Sequence, residues 1–117
     1  MKDKIEFSEF LEIEKKLEIK VGFIKEVQRM EGSDKMLKLS VDLGDDEYQT
    51  VMTNIGNRPG LSEEGEAEKM LEGLSIPFIT NLKPAKMMGV ESTAMIMVPT
   101  VGDELQLNNV PSGAKLL

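Results

Sequence analysis

The chain has 117 residues, of which 40% are apolar and 30% charged, and this length and composition predict one globular domain spanning residues 1–117. It contains no cysteine and no histidine, which excludes disulfides, Cys/His zinc sites, thiol nucleophiles and imidazole acid–base catalysis. No apolar run approaches the roughly 18 residues of a membrane span, and the N-terminal MKDKIEF lacks the apolar core of a signal peptide. We therefore expect a cytoplasmic protein that is not an enzyme, needs no cofactor and makes no contact with a membrane.

The net charge of −7 does not favour nucleic acid, but the acidic residues are concentrated in two segments. Asp42–Glu47 carries four acidic residues and no base, and Leu61–Glu72 carries five glutamates and one lysine. The rest of the chain is close to neutral, so a local basic surface is compatible with this composition. The acidic residues of the second segment are interpreted as the solvated face of a helix.

The N-terminal part begins with a helical turn and continues as an alternating segment. Apolar residues within Phe7–Leu11 have the i, i+3, i+4 spacing of one helical turn, and Ser8 is placed to cap it. Apolar and polar residues then alternate over Leu17–Phe23, which predicts a half-buried strand. The alternation slips at Ile24, just after Gly22, so a bulge or a sharp bend is expected there.

Two further strands are predicted, joined by a hairpin. Glu31–Lys35 (EGSDK) has the composition of a turn, and the alternation of Leu37–Leu43 predicts the clearest strand of the chain. LGDDE at Leu43–Glu47 predicts a tight connection to a returning strand over Tyr48–Thr53. The segment Asn54–Gly60 (NIGNRPG) is expected to be a loop.

One helix is predicted next, with Ser62 as its N-cap, Glu63 and Glu64 in the first turn, and Gly73 at its end. Gly65 lies within the first turns and weakens the start of the pattern. The residues expected on its apolar face are Ala67, Met70, Leu71 and Leu74.

The remaining segments complete a recognisable order of strands. Ile76–Leu82 predicts a fourth strand, Lys83–Gly89 (KPAKMMG) a loop, and the continuous apolar run Thr93–Pro99 a fifth strand covered on both faces. This order predicts an all-β domain with one helix. More specifically, it is the order of a five-stranded OB-fold Greek-key barrel with a helix between strands 3 and 4.

An OB-fold binds ligands along its second and third strands and through two loops, which here are Glu31–Lys35 and Lys83–Ser92. Lysines in such loops can reach phosphates, and serines can hydrogen-bond to sugars or base edges. Adjacent methionines in a loop cannot easily both be buried, so one of the pair is expected to face a ligand or a subunit interface. Surface loops commonly contain lysine, serine and glycine without any function, and this simpler interpretation stays open. The candidate side chains are Ser33, Lys35, Lys83, Lys86, Met87, Met88 and Ser92.

Four runs of sequence resemble a known family: LEIKVGFI (Leu17–Ile24), EGSDKMLKLSVDLGDDE (Glu31–Glu47), NLKPAKMMGVES (Asn81–Ser92) and AMIMVP (Ala94–Pro99). They are similar to the tRNA-binding OB domain at the C-terminus of many methionyl-tRNA synthetases. That domain also occurs in synthetase-associated cofactors, stand-alone tRNA-binding proteins and the phenylalanyl-tRNA synthetase β subunit, and a secretion-chaperone-like family shares it. The resemblance covers nearly the whole chain, and the run Asn81–Ser92 is its most specific part.

The resemblance implies a stand-alone, non-catalytic OB module that binds tRNA by shape, forms a homodimer and assists an aminoacyl-tRNA synthetase of methionyl type. The alternative that it implies is a peptide-binding, chaperone-like protein that uses the same cleft. The small number of aromatic residues agrees with recognition of a folded RNA, because single-strand binding usually relies on several stacking rings. The apolar termini, Phe7–Leu11 and Val110–Leu117, are the expected subunit contacts.

Matching the family residue by residue adds two candidates for RNA binding. Lys20 in the first strand matches a position of the family pattern. The family's Ser-Gly-Ile element is replaced here by residues 52–55, and a glycine of the pattern is replaced by Ala94. Asn54 can supply an amide group where the Ser-Gly backbone usually lies.

Overall fold

The computed structural model describes residues 2–101, 104–105, 107 and 110–116. Within these residues it contains two helices, α1 (Phe7–Glu14) and α2 (Glu66–Leu71). Neither helix has the length and apolar character needed to cross a membrane. The strands are β1 (Ile19–Arg29), β2 (Leu37–Asp42), β3 (Gln49–Thr53), β4 (Ser75–Ile79), β5 (Ala85–Met87), β6 (Val90–Ser92), β7 (Met95–Ile96), β8 (Pro99–Val101), β9 (Glu104–Leu105) and β10 (Lys115–Leu116).

Five antiparallel strands form one curled sheet in the order β3-β2-β1-β4-β7. β1 joins the two parts of this sheet, because residues 19–23 pair with β4 and residues 23–29 pair with β2. The sheet curls far enough for Thr93 N to donate to Thr50 O over 3.1 Å, which brings the chain before β7 against β3. With α2 between β3 and β4 in the chain, this arrangement confirms the predicted OB-type fold.

The core lies inside the curled sheet and is closed on one side by α2. Phe78 of β4 is fully buried, and Ala67 and Leu71 are the residues of α2 that pack into the same cluster. Met70, expected on the same apolar face, is exposed, whereas Leu74 is partly buried against the core. Besides Phe78 and Leu71, the largest fully buried side chains are Ile24, Leu37, Leu39, Ile55, Leu61, Val41, Val51 and Val98.

The predicted phase of β1 is wrong for its first half. Ile19, Val21 and Phe23 face outward and are exposed, whereas Gly22 and Ile24 face the core. The reason is steric: a Cβ on Gly22 would lie 2.7 Å from side-chain atoms of the core, so no larger residue fits at this inward position. Alternation identified the residues that share a face, but it did not identify which face is buried.

The expected irregularity of β1 is a bulge just after Ile24. Lys25 has no partner in the register, which passes from Ile24 opposite Val41 to Glu26 opposite Ser40. The amide of Val27 donates to the Glu72 carboxylate over 3.0 Å. The segment after α2 thus supplies an acceptor for a backbone amide of β1 beyond the part that pairs with β4.

The ends of both helices differ from the sequence prediction. Ser8 lies inside α1, whose N-cap is Glu6, and no side chain caps it. Ser62 does not cap α2, because Gly65 has a φ of 80° and a right-handed helix can begin only after it. The strand predicted over 93–99 is also divided into β7 and β8, and its burial alternates along the chain.

Candidate functional site

A concave site of about 750 Å³ lies between the two connections that the sequence singled out. The turn between β1 and β2 forms one side, the end of β3 with the residues after it forms the base, and the connection before β7 forms the other side. We call this site the methionine cleft. Its lining residues are Gly32, Ser33, Lys35, Met36, Met52, Thr53, Asn54, Ile55, Arg58, Met87, Met88, Met95 and Ile96.

The apolar part of the cleft has a buried base and an exposed wall. Met36 and Met52 are buried against the protein interior. Met87, Met88 and Met95 are exposed and form the wall. Thioether side chains are flexible and polarisable, so this wall can adapt its shape to an apolar or aromatic ligand.

The second connection is a β-hairpin instead of the predicted loop. β5 and β6 pair across a two-residue turn formed by Met88, with a φ of 53°, and Gly89, with a φ of 79°. Two successive positive φ values are those of a type I′ turn, in which asparagine, aspartate or glycine is usual at the first position. A methionine there costs about 1 kcal/mol in backbone strain, and it places the Met88 side chain at the tip of the hairpin.

The other end of the cleft is polar and positively charged. Lys35, Asn54 and Arg58 line both the methionine cleft and a neighbouring depression of about 450 Å³, which Asn57 and Pro59 complete. In the residues that the structure describes, no aspartate or glutamate lines either depression. Although the chain has a net charge of −7, the described lining of this concave surface consists of basic, polar and apolar residues.

Arg29 holds the loops of this polar end together. Its Nη1 donates to the carbonyl oxygens of Asp34 (2.8 Å) and Gly56 (2.9 Å), and its Nη2 donates to the carbonyl oxygen of Leu61. The amide of Gly56 donates to the carbonyl oxygen of Lys35 over 2.7 Å. A Cβ on Gly56 would lie 2.7 Å from that same oxygen, so this contact requires glycine. The backbone that carries Lys35 is thus fixed from two directions.

Comparison with known proteins identifies the family. Residues 19–116 match the family model described as "Putative tRNA binding domain". The chain belongs to this tRNA-binding domain family. It is 42% identical over 93 residues to the methionine–tRNA ligase of Helicobacter pylori (strain J99), an alignment that covers 80% of this chain and 13% of the ligase. The chain thus spans only a small part of the ligases that it matches.

Two solved structures resemble this tRNA-binding domain over most of their length. The MetRS related protein from Pyrococcus horikoshii is 30% identical with a TM-score of 0.68, and the match covers 97% of this chain and 94% of that one. The CsaA chaperone protein from Picrophilus torridus is 25% identical with a TM-score of 0.66, over 94% of this chain and 92% of that one.

The tRNA-binding domain brings five of the nine candidate residues together in the methionine cleft: Ser33, Lys35, Asn54, Met87 and Met88. Ser33 also orders the first turn, because its Oγ accepts from the amides of Lys35 (3.3 Å) and Met36 (3.1 Å). Of the replaced element at residues 52–55, only Asn54 is exposed.

Ser92 lies inside the tRNA-binding domain, so the expectation that its side chain meets a ligand is not supported. It is 5% exposed, and its Oγ accepts from the Met52 amide over 2.9 Å and donates to the Ala94 carbonyl oxygen over 3.1 Å. Ser92 therefore joins β6 to β3 beneath the cleft. Ala94, the second departure from the family pattern, is also buried rather than on a binding surface.

Three candidate lysines do not line the methionine cleft. Lys20 lies in a separate depression with Asp45, and its Nζ is 3.9 Å from the Glu18 carboxylate. Lys83 is exposed before β5, and Lys86 is exposed on β5. Of the four lysines proposed from the sequence, only Lys35 belongs to the cleft.

Sequence reasoning missed several residues of the site. Arg58 and Asn57 lie in a segment that was interpreted only as a loop, and Met36, Met52 and Met95 were not among the binding candidates. The loop could have been considered, because it directly follows β3, and β3 pairs with the strand that follows the first binding turn. A basic residue at the end of an OB-fold binding strand is a usable signal.

Proposed function

We propose that this domain binds tRNA in the methionine cleft and catalyses no reaction itself. The observation that carries the proposal is the cationic end of the cleft, which no carboxylate lines among the described residues although the chain has a net charge of −7. Membership of the tRNA-binding domain family supports the same ligand. Acidic segments elsewhere repel RNA, so attraction at this surface favours one orientation of the complex.

The lining of the cleft suits the separate chemical parts of a nucleotide. Lys35 and Arg58 line the cleft, and in this proposal their cationic groups contact phosphate oxygens, while the Asn54 amide hydrogen-bonds to a base edge or a ribose hydroxyl. The thioethers of Met87 and Met88 can contact the faces of bases or riboses. Phosphate contacts would supply most of the affinity, so binding is expected to weaken steeply as salt increases.

In this proposal the domain acts in the cytoplasm, where it helps an aminoacyl-tRNA synthetase of methionyl type to bind its tRNA. The support is the identity to methionine–tRNA ligases, of which this chain matches about an eighth of the length. A second tRNA-binding site beside a synthetase raises the effective concentration of tRNA at that enzyme. Co-purification with a methionyl-tRNA synthetase, and a lower KM for tRNA in its presence, would test this role.

A mobility-shift titration with total tRNA at low salt tests the binding itself, and lack of binding by the folded protein would contradict it. We expect Lys35→Ala to weaken binding by about threefold to tenfold and to reduce the salt slope by about 1. Lys20→Ala is the matched control: it removes one lysine outside the cleft, so the change in affinity should stay below about twofold. Equal losses in the two variants would contradict binding in the methionine cleft.

A second candidate function is peptide binding of a chaperone-like kind in the same cleft. It is favoured by the exposed methionine wall and by the structural similarity to the CsaA chaperone protein of Picrophilus torridus. Suppression of the aggregation of a heated reporter protein, unaffected by added tRNA, would support it. Displacement of that reporter by tRNA would instead support one cleft that binds RNA preferentially.

We further propose that the domain forms a homodimer through its exposed apolar N-terminal surface. α1 has no buried residue, and its large apolar side chains Phe7 and Phe10 are exposed. Val21 and Phe23 of β1 are exposed as well. An isolated eight-residue helix is marginally stable in water, so its apolar side chains need a cover, and a symmetric dimer supplies one. The second subunit contact predicted from the sequence is the C-terminal segment Val110–Leu117. In it Val110 and Leu116 are exposed, and Leu117 lies outside the described residues.

Sedimentation velocity tests the homodimer. Val21→Lys with Phe10→Lys should convert a dimer to a monomer, because each charge would be buried without a partner at the interface. Met70→Lys places the same charge on an exposed apolar residue of α2, outside the residues of this surface, and should leave the sedimentation coefficient unchanged. A monomeric parent protein would contradict the proposal.

A further inference from the structure

Sulfur chemistry in this chain is confined to methionine. Nine of its 117 residues are methionine, and it has no cysteine, no histidine and no tryptophan. Peroxides attack thiols and thioethers more readily than other side chains, so here they react with the methionines. Where the methionines lie therefore decides what oxidation does to the protein.

Four methionines are exposed in the part of the chain that the structure describes, and three of them line the methionine cleft. Met87 is 39% exposed, and Met88 and Met95 are each 48% exposed. The fourth, Met70, is 40% exposed but lies on α2, outside the cleft. Exposed thioethers react faster than buried ones, so among the methionines that the structure describes a peroxide would act mainly at the cleft wall and at Met70.

We propose that Met87, Met88 and Met95 form a reversible oxidation site that controls RNA binding in the methionine cleft. In each reaction a lone pair of the thioether sulfur attacks one oxygen of hydrogen peroxide, forming an S–O bond as the O–O bond breaks. The sulfur is oxidised to a sulfoxide and the peroxide is reduced. The other oxygen leaves as water after it takes the proton of the attacked oxygen. A thiol-dependent methionine sulfoxide reductase reverses the change.

Oxidation changes the character of the cleft wall while the cationic end keeps its charge. A sulfoxide is polar, whereas a thioether is apolar and polarisable, so three sulfoxides turn an apolar wall into a polar one. Lys35 and Arg58 are not oxidised, so attraction of phosphates persists while the apolar contacts to bases or riboses weaken. This inference rests on the proposed function, because its effect is measured on tRNA binding.

The experiment treats the full chain with hydrogen peroxide and measures tRNA affinity and the position of each sulfoxide by peptide mass mapping. We expect sulfoxides at Met87, Met88, Met95 and Met70 before the buried methionines, and a loss of affinity of about fivefold. Reduction by two methionine sulfoxide reductases together, one for each sulfoxide epimer, should restore the affinity. The circular dichroism spectrum should stay unchanged, which separates a local effect from unfolding.

Leucine variants show which methionines matter, because leucine is apolar, close in size and not oxidised by peroxide. The triple variant Met87→Leu, Met88→Leu, Met95→Leu should have the same affinity before and after treatment, whatever its starting affinity is. Met70→Leu is the matched control with similar exposure. It should bind tRNA as the parent does, and it should lose affinity on treatment to the same extent.

Several outcomes would overturn the proposal. One is that peroxide lowers the tRNA affinity of the triple variant as much as that of the parent. Another is that the protein binds tRNA as before when all three cleft methionines are oxidised. The third is that Met70 is oxidised and the cleft methionines are not. If the untreated protein binds no tRNA, the proposed function fails on its own. Control of RNA binding then fails with it, and mapping decides only whether the cleft wall is an oxidation site, which slower reaction of the three cleft methionines than of Met70 would contradict.

Discussion

The two connections that face each other across the methionine cleft are held in different ways. The turn between β1 and β2 is anchored to the loop after β3 by the Gly56 amide, which donates to Lys35 O over 2.7 Å, and by Arg29. The hairpin β5–β6 forms a separate two-stranded sheet, and it is tied to β3 by the hydroxyl of Ser92. One connection is fixed by backbone contacts at several points, and the other projects from the body of the domain.

This difference matches what each connection contributes. The fixed turn carries the charge of Lys35, and a phosphate contact depends on where the charge lies. The projecting hairpin carries Met87 and Met88, whose flexible side chains tolerate variation in the surface that they meet. The domain therefore combines a cationic side whose backbone is fixed with an adaptable apolar side.

The largest expected loss of stability comes from a substitution that disrupts the backbone contact of the turn between β1 and β2. Gly56→Ala should lower the free energy of unfolding by about 3 kcal/mol, because its Cβ would collide with the backbone oxygen of Lys35. Urea denaturation measures the change. Asn57→Ala, at the next and exposed position, is the control and should stay within about 0.5 kcal/mol. A similar small effect of Gly56→Ala would show that the turn is not rigid.

A smaller loss of stability is expected when the hydrogen bond between the β5–β6 hairpin and β3 is removed. Ser92→Ala leaves the buried amide of Met52 without its acceptor, which should cost about 2 kcal/mol in the same denaturation experiment. The Met87 and Val90 amides, which face each other across the hairpin, should then exchange hydrogen faster with solvent, while the Gly56 amide keeps its protection. Ser75→Ala removes an exposed hydroxyl from β4 and should be nearly neutral. Unchanged exchange in the hairpin would contradict the role given to Ser92.

The smallest effect should be a gain in stability. Met88→Asn puts the favoured residue at the first position of the type I′ turn, and it should raise the free energy of unfolding by about 0.5–1 kcal/mol. The same change removes a thioether from the cleft wall, so affinity for tRNA should fall while stability rises. Met87→Asn alters the neighbouring strand residue and should bring no gain in stability. A loss of stability in Met88→Asn would show that the methionine is not strained.

The fold class could be predicted from the sequence because strands, turns and the helix each have a local sequence pattern. Leu37–Leu43 alternates and forms β2, and the family resemblance through Asn81–Ser92 agrees with the matched family. Local pattern does not specify which side of a strand is buried. In β1 the deciding residue is Gly22, whose lack of a side chain, and not its hydrophobicity, places it inward.

Less of the candidate site could be predicted, because its residues come from segments that are distant in sequence. Ser33, Lys35, Met87 and Met88 were proposed from the two expected loops, and the structure gathers them. A basic residue after β3 was a usable signal for Arg58, but its position in the cleft depends on the contacts of Arg29 and Gly56, which hold its loop against the first turn. The burial of Ser92 likewise depends on β6 packing against β3, a contact that the pattern of a loop does not reveal.

Asn81, the first residue of the run that identifies the family, has a consequence for where the domain can be cut. Its side-chain oxygen accepts from the Glu18 amide over 2.8 Å, and its side-chain nitrogen donates to the Lys16 carbonyl oxygen. The family match begins later, at Ile19. A fragment that started at this boundary would lose both partners of Asn81 together with α1. The residues before Ile19 are thus joined to β4 by an asparagine that lies more than sixty positions further along the chain.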